Sequence, residues 1–202
     1  MGNRSKMPIL VALLLTGAVG FSLGRASVSL PSILKYKGYS VSNVRGLSRD
    51  QVEALKHQID MVVALPIKPD ASAFFRAQPI RLSTSLEEAG ASGVGGVVLR
   101  PAEIRNQGPV LLHELLHIYH RRVLSDGIDN AMVENAFEAA WDRDLWPPDS
   151  YMMSNKSEFF AMTASAVLHG VVRRPPGTRQ NVAERMPTYY RWLVGQFGLV
   201  VH

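Results

Sequence analysis

Residues 109–123 read PVLLHELLHIYHRRV, and this stretch decides the fold. Pro109 suits the first turn of a helix, where a missing N–H costs nothing. The apolar residues after it recur at helical spacing: Leu111, Leu112, Leu115 and Leu116. The pattern predicts a helix over residues 110–123 that lies buried in the core.

The same helix carries the candidate chemistry. His113 and His117 are four residues apart, so both side chains leave one face of the helix. Two imidazoles so placed can bind one zinc ion at about 2.0–2.1 Å. Glu114 is offset by about 100° around the helix, so it can reach a water on the metal without being a ligand. This His-Glu-x-x-His arrangement is typical of zinc metallopeptidases, and it favours a zinc site over a structural pair of histidines.

A catalytic zinc needs a third protein ligand and one open position. The metzincin pattern would place glycine at position 120 and histidine at position 123, but the chain has His120 and Val123, which excludes that class. His120, Glu134, Glu138 and Glu158 all remain candidates for the third ligand. Glu158 begins an apolar helix, where a carboxylate needs a cation beside it. The residues alone leave the choice open.

A second motif lies downstream of the histidines. Glu158-Phe159-Phe160-Ala161 follows the His-Glu-x-x-His motif by roughly forty residues, and Tyr151 stands seven residues before Glu158. In this combination and spacing, about residues 75–170 resemble the catalytic domain of anthrax lethal factor and the related Pro-Pro endopeptidases.

The resemblance implies a gluzincin-like peptidase with Glu158 as the third zinc ligand. It implies that Tyr151 stabilises the oxyanion of the tetrahedral intermediate. The His-Glu-x-x-His arrangement itself makes Glu114 the expected general base. It also implies that the strand near residues 97–99 lines the cleft and pairs with an extended peptide or protein substrate.

A different class of function is a non-catalytic zinc-binding or interaction domain, exported or tethered to a membrane. A structural zinc is closed by four protein ligands, and the fourth would have to be His120, Glu134 or Glu138. The presence of Glu114 beside the histidines favours the enzyme.

The remaining periodicity predicts an α+β fold, mostly helical and zincin-like, with a small, mainly antiparallel sheet beside the active-site helix. Ser48 and Gln51 form a capping-box pattern at the start of the first helix. Further helices are predicted over residues 69–75, 131–142 and 157–169 and from Pro187, with strands near residues 80–83 and 97–99.

The composition of the chain excludes some kinds of metal ligand and binding partner. The 202-residue chain is 47% hydrophobic, enough to bury one core. It contains no cysteine, which excludes thiolate ligands and disulfides. The net charge of +5 comes from scattered basic residues rather than a cluster, so we expect no nucleic-acid partner.

The N-terminus has the pattern of an export segment. Arg4 and Lys6 precede an apolar stretch over residues 7–23, and Gly24 and Ala26 suit a signal-peptidase site after Ala26. The apolar stretch is short for a spanning helix, which needs about 20 residues. We therefore expect a signal peptide or an uncleaved membrane anchor, and a periplasmic, secreted or membrane-anchored protein.

This pattern divides the chain into three parts. Residues 1–26 are the signal peptide or anchor. Residues 27–46, with Pro31, Gly38 and Gly46, are expected to be a linker. Residues 47–202 are expected to form the metallopeptidase domain.

Overall fold

The computed structural model describes residues 32–83, 90–92, 95–105 and 108–200. This part of the chain forms one five-stranded sheet and seven α-helices. The strands are β1 (Ile33–Tyr36), β2 (Tyr39–Ser42), β3 (Ile80–Leu82), β4 (Gly90–Ser92) and β5 (Gly96–Leu99). The helices are α1 (Arg49–Val63), α2 (Pro69–Ala77), α3 (Val110–Arg122), α4 (Ala131–Asp142), α5 (Lys156–His169), α6 (Arg179–Arg185) and α7 (Pro187–Phe197), with short 3-10 helices at Gly127–Asp129 and Tyr151–Met153.

The predicted α+β, mostly helical class is confirmed, but the sheet is mixed rather than mainly antiparallel. Its strand order is β1-β2-β3-β5-β4. The outer pairs β1–β2 and β4–β5 are antiparallel, whereas β2–β3 and β3–β5 are parallel. Helices α1 and α2 lie between β2 and β3 in the chain, and such a crossover brings the chain back to run in the same direction.

The prediction of a linker over residues 27–46 is wrong for the central part of this range. That part forms the β1–β2 hairpin. Lys37 and Gly38 form the two-residue turn of the hairpin, and both have a positive φ. Such a turn favours glycine at its second position. Tyr39, Val41 and Val44 are buried in the core. The folded domain therefore begins before residue 46, and residues 27–31 lie outside the described residues.

The active-site helix α3 packs against α5 at the centre of the molecule. All four of its leucines are fully buried, as the sequence predicts. Helix α5 is buried along residues 159–168, so no face of this stretch is exposed to water. Two helices with so little polar surface stabilise each other by removing apolar area from water.

The start of α3 is held by a side chain from α1. Pro109 precedes α3 and offers no side-chain cap, so the first backbone N–H groups of the helix need other partners. The buried amide of Gln58 accepts a hydrogen bond from the Leu111 N–H at 3.1 Å. Its Nε2 donates to the Gly108 carbonyl at 2.9 Å. Helix α1 thereby positions the turn that leads into the active-site helix.

The predicted signal peptide or membrane anchor lies on residues that the structure does not describe. Within the described ranges, no helix is both long and apolar enough to cross a membrane. The signal peptide or anchor over residues 1–26 stays a prediction.

His120, on α3, is a polar residue of the core. It is fully buried, with its ring centroid 4.6 Å from that of Phe160. Neither ring nitrogen makes a hydrogen bond with any described residue. Burial lowers the pKa of His120 to about 4, so the imidazole packs as a neutral group.

We expect Gly96→Ala to lower the free energy of unfolding by about 2–6 kcal/mol. Gly96 has φ +97°, and an added Cβ would lie 2.2 Å from the backbone oxygen of Pro79 on the way into β3. The control is Gly195→Ala in α7, where an added Cβ meets no atom within 4 Å. That change should leave stability unchanged or raise it by up to about 1 kcal/mol. Urea denaturation compares the stabilities of the two variants, and equal midpoints for Gly96→Ala and Gly195→Ala would contradict the predicted clash.

We expect His120→Leu to remove part of the acid sensitivity of the fold. Below pH 6.5, the ordinary pKa of histidine, the unfolded chain binds a proton that the folded chain does not take up until about pH 4. The wild type should therefore lose about 2 kcal/mol between neutral pH and pH 5 through this residue. Urea denaturation at both pH values measures the difference between wild type and variant. Equal losses in the two proteins would show that His120 does not resist protonation in the fold.

Candidate active site

His113 and His117 present their Nε2 atoms to the same point, 3.0 Å apart. They leave adjacent turns of α3, as their spacing predicts, with ring planes at 90° to each other. The side chains of His113 and His117 are mostly buried, with exposed fractions of 13% and 12%. The pair is thus held in one orientation at the edge of the core.

Glu158 meets both histidines from the first turn of α5. Its Oε2 lies 3.1 Å from His113 Nε2 and 3.3 Å from His117 Nε2. Asn155 caps α5, and its side-chain oxygen accepts hydrogen bonds from the backbone N–H groups of Ser157 and Glu158. The cap fixes where the helix begins and therefore where the Glu158 carboxylate points.

The three atoms have the separations of a tetrahedral zinc site. Ligands at about 2.0–2.1 Å from a tetrahedral zinc lie about 3.3 Å from one another. The observed separations are 3.0, 3.1 and 3.3 Å. His113, His117 and Glu158 are the group of three that could hold a metal ion among the described residues. Two imidazole nitrogens and one carboxylate oxygen match the donor set of catalytic zinc and leave a fourth position open.

The electrostatics of Glu158 suit a metal ligand. Burial alone would raise the pKa of this carboxyl, but the two imidazoles beside it outweigh burial and hold the pKa well below its ordinary value. The group is therefore an anion at neutral pH, and its Oε2 is buried without a hydrogen bond from the described residues. A cation at this point would compensate the buried charge.

Glu114 lies beside the triad on α3 and lines the same cleft. Burial raises the pKa of Glu114, and the neighbouring imidazoles of His113 and His117 partly oppose the shift. Its Oε2 is buried and has no hydrogen-bond partner among the described residues. A carboxylate without a fixed partner, next to the open position, is free to exchange a proton with a water there.

Tyr151 stands at the mouth of the site, in the short 3-10 helix before α5. Its ring centroid is 6.2 Å from that of His113, and the side chain is 45% exposed. Burial of the hydroxyl and the nearby Glu158 carboxylate raise the pKa of Tyr151 above its ordinary value. The phenol therefore keeps its proton and can donate a hydrogen bond to an anion in the cleft.

His113, Glu114 and Tyr151 line an open cleft of about 740 Å³. Val110 of α3 and Met162 of α5 give it an apolar wall, and Arg173 and Arg174 stand on the loop that follows α5. A cleft of this volume can accept several residues of a peptide.

The other candidate ligands lie elsewhere. His120 is buried against Phe160, as described above. Glu134 accepts a hydrogen bond from Lys156 at 3.0 Å, and Glu138 is exposed on α4. None of the three belongs to the group that could hold a metal ion among the described residues.

The expectation that residues 97–99 pair with the substrate is wrong. Strand β5 lies inside the sheet, between β3 and β4, and its four residues are buried. Its backbone groups on both edges are already used by neighbouring strands. Strand β4 forms the outer edge on this side of the described sheet, and it contacts α3.

Two residues that shape the site were not predicted from the sequence. Asn155 caps α5 three residues before Glu158, and an Asn followed by an acidic residue at this spacing is a recognisable start of a helix. Arg174 lies with its guanidinium carbon 5.4 Å from the centroid of the Tyr151 ring. No local pattern joins Arg174 to Tyr151, because only folding of the loop brings the two together.

Comparison with known proteins supports the fold. No family model and no curated protein matches the chain. Among solved structures, the Pro-Pro endopeptidase PPEP-2 from Paenibacillus alvei is similar, with a TM-score of 0.53. The match covers 76% of this chain and 94% of that chain at 20% sequence identity. The chain therefore shares its fold with a Pro-Pro endopeptidase, and the expected likeness to lethal factor itself stays a prediction.

Proposed function

We propose that the protein is a zinc-dependent endopeptidase. The observation that carries the proposal is the convergence of His113, His117 and Glu158 within 3.3 Å of one another, next to the Glu114 carboxylate in an open cleft. The fold shared with PPEP-2, a peptidase by its name, supports the same reading.

In this proposal the metal is held by His113, His117 and Glu158. Zinc there would supply Lewis acidity, which polarises a peptide carbonyl and brings the pKa of a bound water towards about 7. The anionic Glu158 would offset part of the positive charge of the metal, and the two imidazoles would complete the ligand set. His113 and Glu114 line the cleft, so water and substrate would be able to reach a metal held there.

Glu114 is the proposed general base. It takes a proton from the attacking water and gives it to the nitrogen of the leaving amine, so that the carboxylate is regenerated. Burial in the cleft wall raises its pKa, and a base with a raised pKa holds the proton more firmly between the two transfers.

Tyr151 is the proposed oxyanion donor. Its neutral hydroxyl would donate a hydrogen bond to the carbonyl oxygen as negative charge develops there. The position of its ring near His113, at the exposed side of the site, is consistent with contact to a bound peptide.

The outer edge of β4 is the proposed docking edge for the peptide backbone. An extended peptide would pair with this strand as an added strand of the sheet and so run past α3. The name of PPEP-2 states a preference for Pro-Pro bonds, and peptides with this pair are the first substrates to test.

Export is part of the proposal. The basic and apolar pattern over residues 1–26 supports delivery to the periplasm, the exterior or the outer face of a membrane. Detection of the native protein in cell fractions, with N-terminal sequencing, would test it. A cytoplasmic protein with an intact N-terminus would contradict it.

We expect the full-length protein to bind about one zinc ion per chain. His113→Ala and Glu158→Ala should each reduce the bound zinc to well below half of that, because each removes a ligand. Glu138→Ala, which removes an exposed carboxylate from α4, is the matched control and should keep full zinc. Elemental analysis after dialysis gives the ratio. Full zinc in Glu158→Ala would refute its role as the third ligand.

We expect Glu114→Gln to keep its zinc and to lower turnover of a peptide by about 10²–10⁴-fold. The amide has the shape of the carboxylate but cannot accept the proton from water. Cleavage of a peptide library that includes Pro-Pro bonds, read by mass spectrometry, identifies a substrate for the rate measurement. Normal turnover in the variant would exclude Glu114 as the base. Full zinc but no cleavage by the wild type would favour a non-catalytic zinc-binding domain.

A further inference from the structure

The loop after α5 forms one side of the cleft. Residues 171–178 turn back on themselves, with a β-bridge between Val171 and Thr178. The Val172 N–H donates to the Gly177 carbonyl at 2.7 Å, and the Gly177 N–H donates to the Arg174 carbonyl at 2.9 Å. These hydrogen bonds restrict the backbone at Arg174, so the side chain of Arg174 extends from a backbone position that is fixed.

Arg174 reaches from this loop to Tyr151. Its guanidinium carbon is 5.4 Å from the ring centroid, within the range of a cation–π contact. Tyr151 is nearly half exposed and sits in a three-residue 3-10 helix. Its inner contacts are the His113 ring, with centroids 6.2 Å apart, and a side-chain hydrogen bond with Glu158. The guanidinium of Arg174 adds a contact with the ring itself.

We propose that Arg174 is a positioning residue that holds the Tyr151 ring at the mouth of the cleft through its guanidinium group. This inference rests on the proposed function, in which the Tyr151 hydroxyl meets the developing oxyanion. A freely rotating phenol would spend part of its time away from that point, and the hydrogen bond would be correspondingly weaker in the transition state.

A different role for Arg174 would be to bind an acidic side chain of the substrate. The two roles predict different kinetics. A group that acts only through Tyr151 affects kcat, and its effect disappears when the hydroxyl is absent. A group that binds substrate affects KM whether or not the hydroxyl is present.

The first test needs no turnover. The chain has six tyrosines, so the full-length, zinc-loaded protein with ring-labelled tyrosine should give few NMR signals, and Tyr151→Phe identifies the signal of Tyr151. We expect Arg174→Met to move that signal towards the position of an exposed tyrosine, and Arg174→Lys to move it less. An unchanged signal in Arg174→Met would overturn the proposal. Because this measurement is independent of catalysis, it stands even if the peptidase proposal fails.

The second test is a double-mutant cycle on kcat. A cation–π contact at an exposed site corresponds to a factor of about two to five, so we expect Arg174→Met to lower kcat by about this much. In the Tyr151→Phe background the same change should have no further effect, and Arg174→Lys should restore most of the wild-type rate.

Arg173→Met is the control for charge, because it removes an equal charge from the same side of the cleft. Equal losses from Arg173→Met and Arg174→Met in both backgrounds would mean that the arginine acts through charge alone and would overturn the proposal. A rise in KM alone would also overturn it, in favour of substrate binding. If Tyr151→Phe itself has the wild-type rate, the proposed role of the hydroxyl fails, and the positioning role in catalysis fails with it.

Discussion

The contact between α3 and α5 is the constraint on which the rest of the molecule depends. Both helices are buried over most of their length, so each is stable only inside the protein and against the other. Among their polar residues, His113, His117 and Glu158 meet across the contact. Burial of apolar surface brings these groups together, and the two imidazoles outweigh the effect of burial on the Glu158 carboxyl. A bound cation would stabilise the buried carboxylate further, which would couple metal binding to the stability of the core.

Local patterns were sufficient to predict most of the helices. The capping box at Ser48 and Gln51 is present at the start of α1, and Gly170 ends α5 with a positive φ. Such signals act within a few residues, so they can be read from a single sequence. Helix α6 was not predicted because it has only seven residues. The hairpin β1–β2 was mistaken for a linker because its strands are short and its glycine and serines resemble those of a loop.

The sheet and the site depended on contacts that are distant in the sequence. The parallel pairing of β3 with β2 follows from the crossover through α1 and α2, and β3 also pairs in parallel with β5, although β4 lies between these two strands in the chain. No local pattern encodes either pairing. The two histidines could be placed on one face from their spacing alone. Glu158 was chosen over Glu134 and Glu138 through its likeness to a family motif, and the structure brings it to the histidines. The contact between Arg174 and Tyr151 joins residues from separate elements, so it became visible only in the folded chain.

The β1–β2 hairpin limits how far the N-terminus can be shortened without loss of the fold. Strand β1 covers the edge of β2, and every residue of β1 is paired with one on β2. A processing enzyme that cut within Ile33–Tyr36 would expose that edge and loosen the buried side chains of Tyr39 and Val41. A cut after Ala26 would leave the hairpin whole. The hairpin therefore sets the shortest N-terminus with which the described sheet keeps all five of its strands.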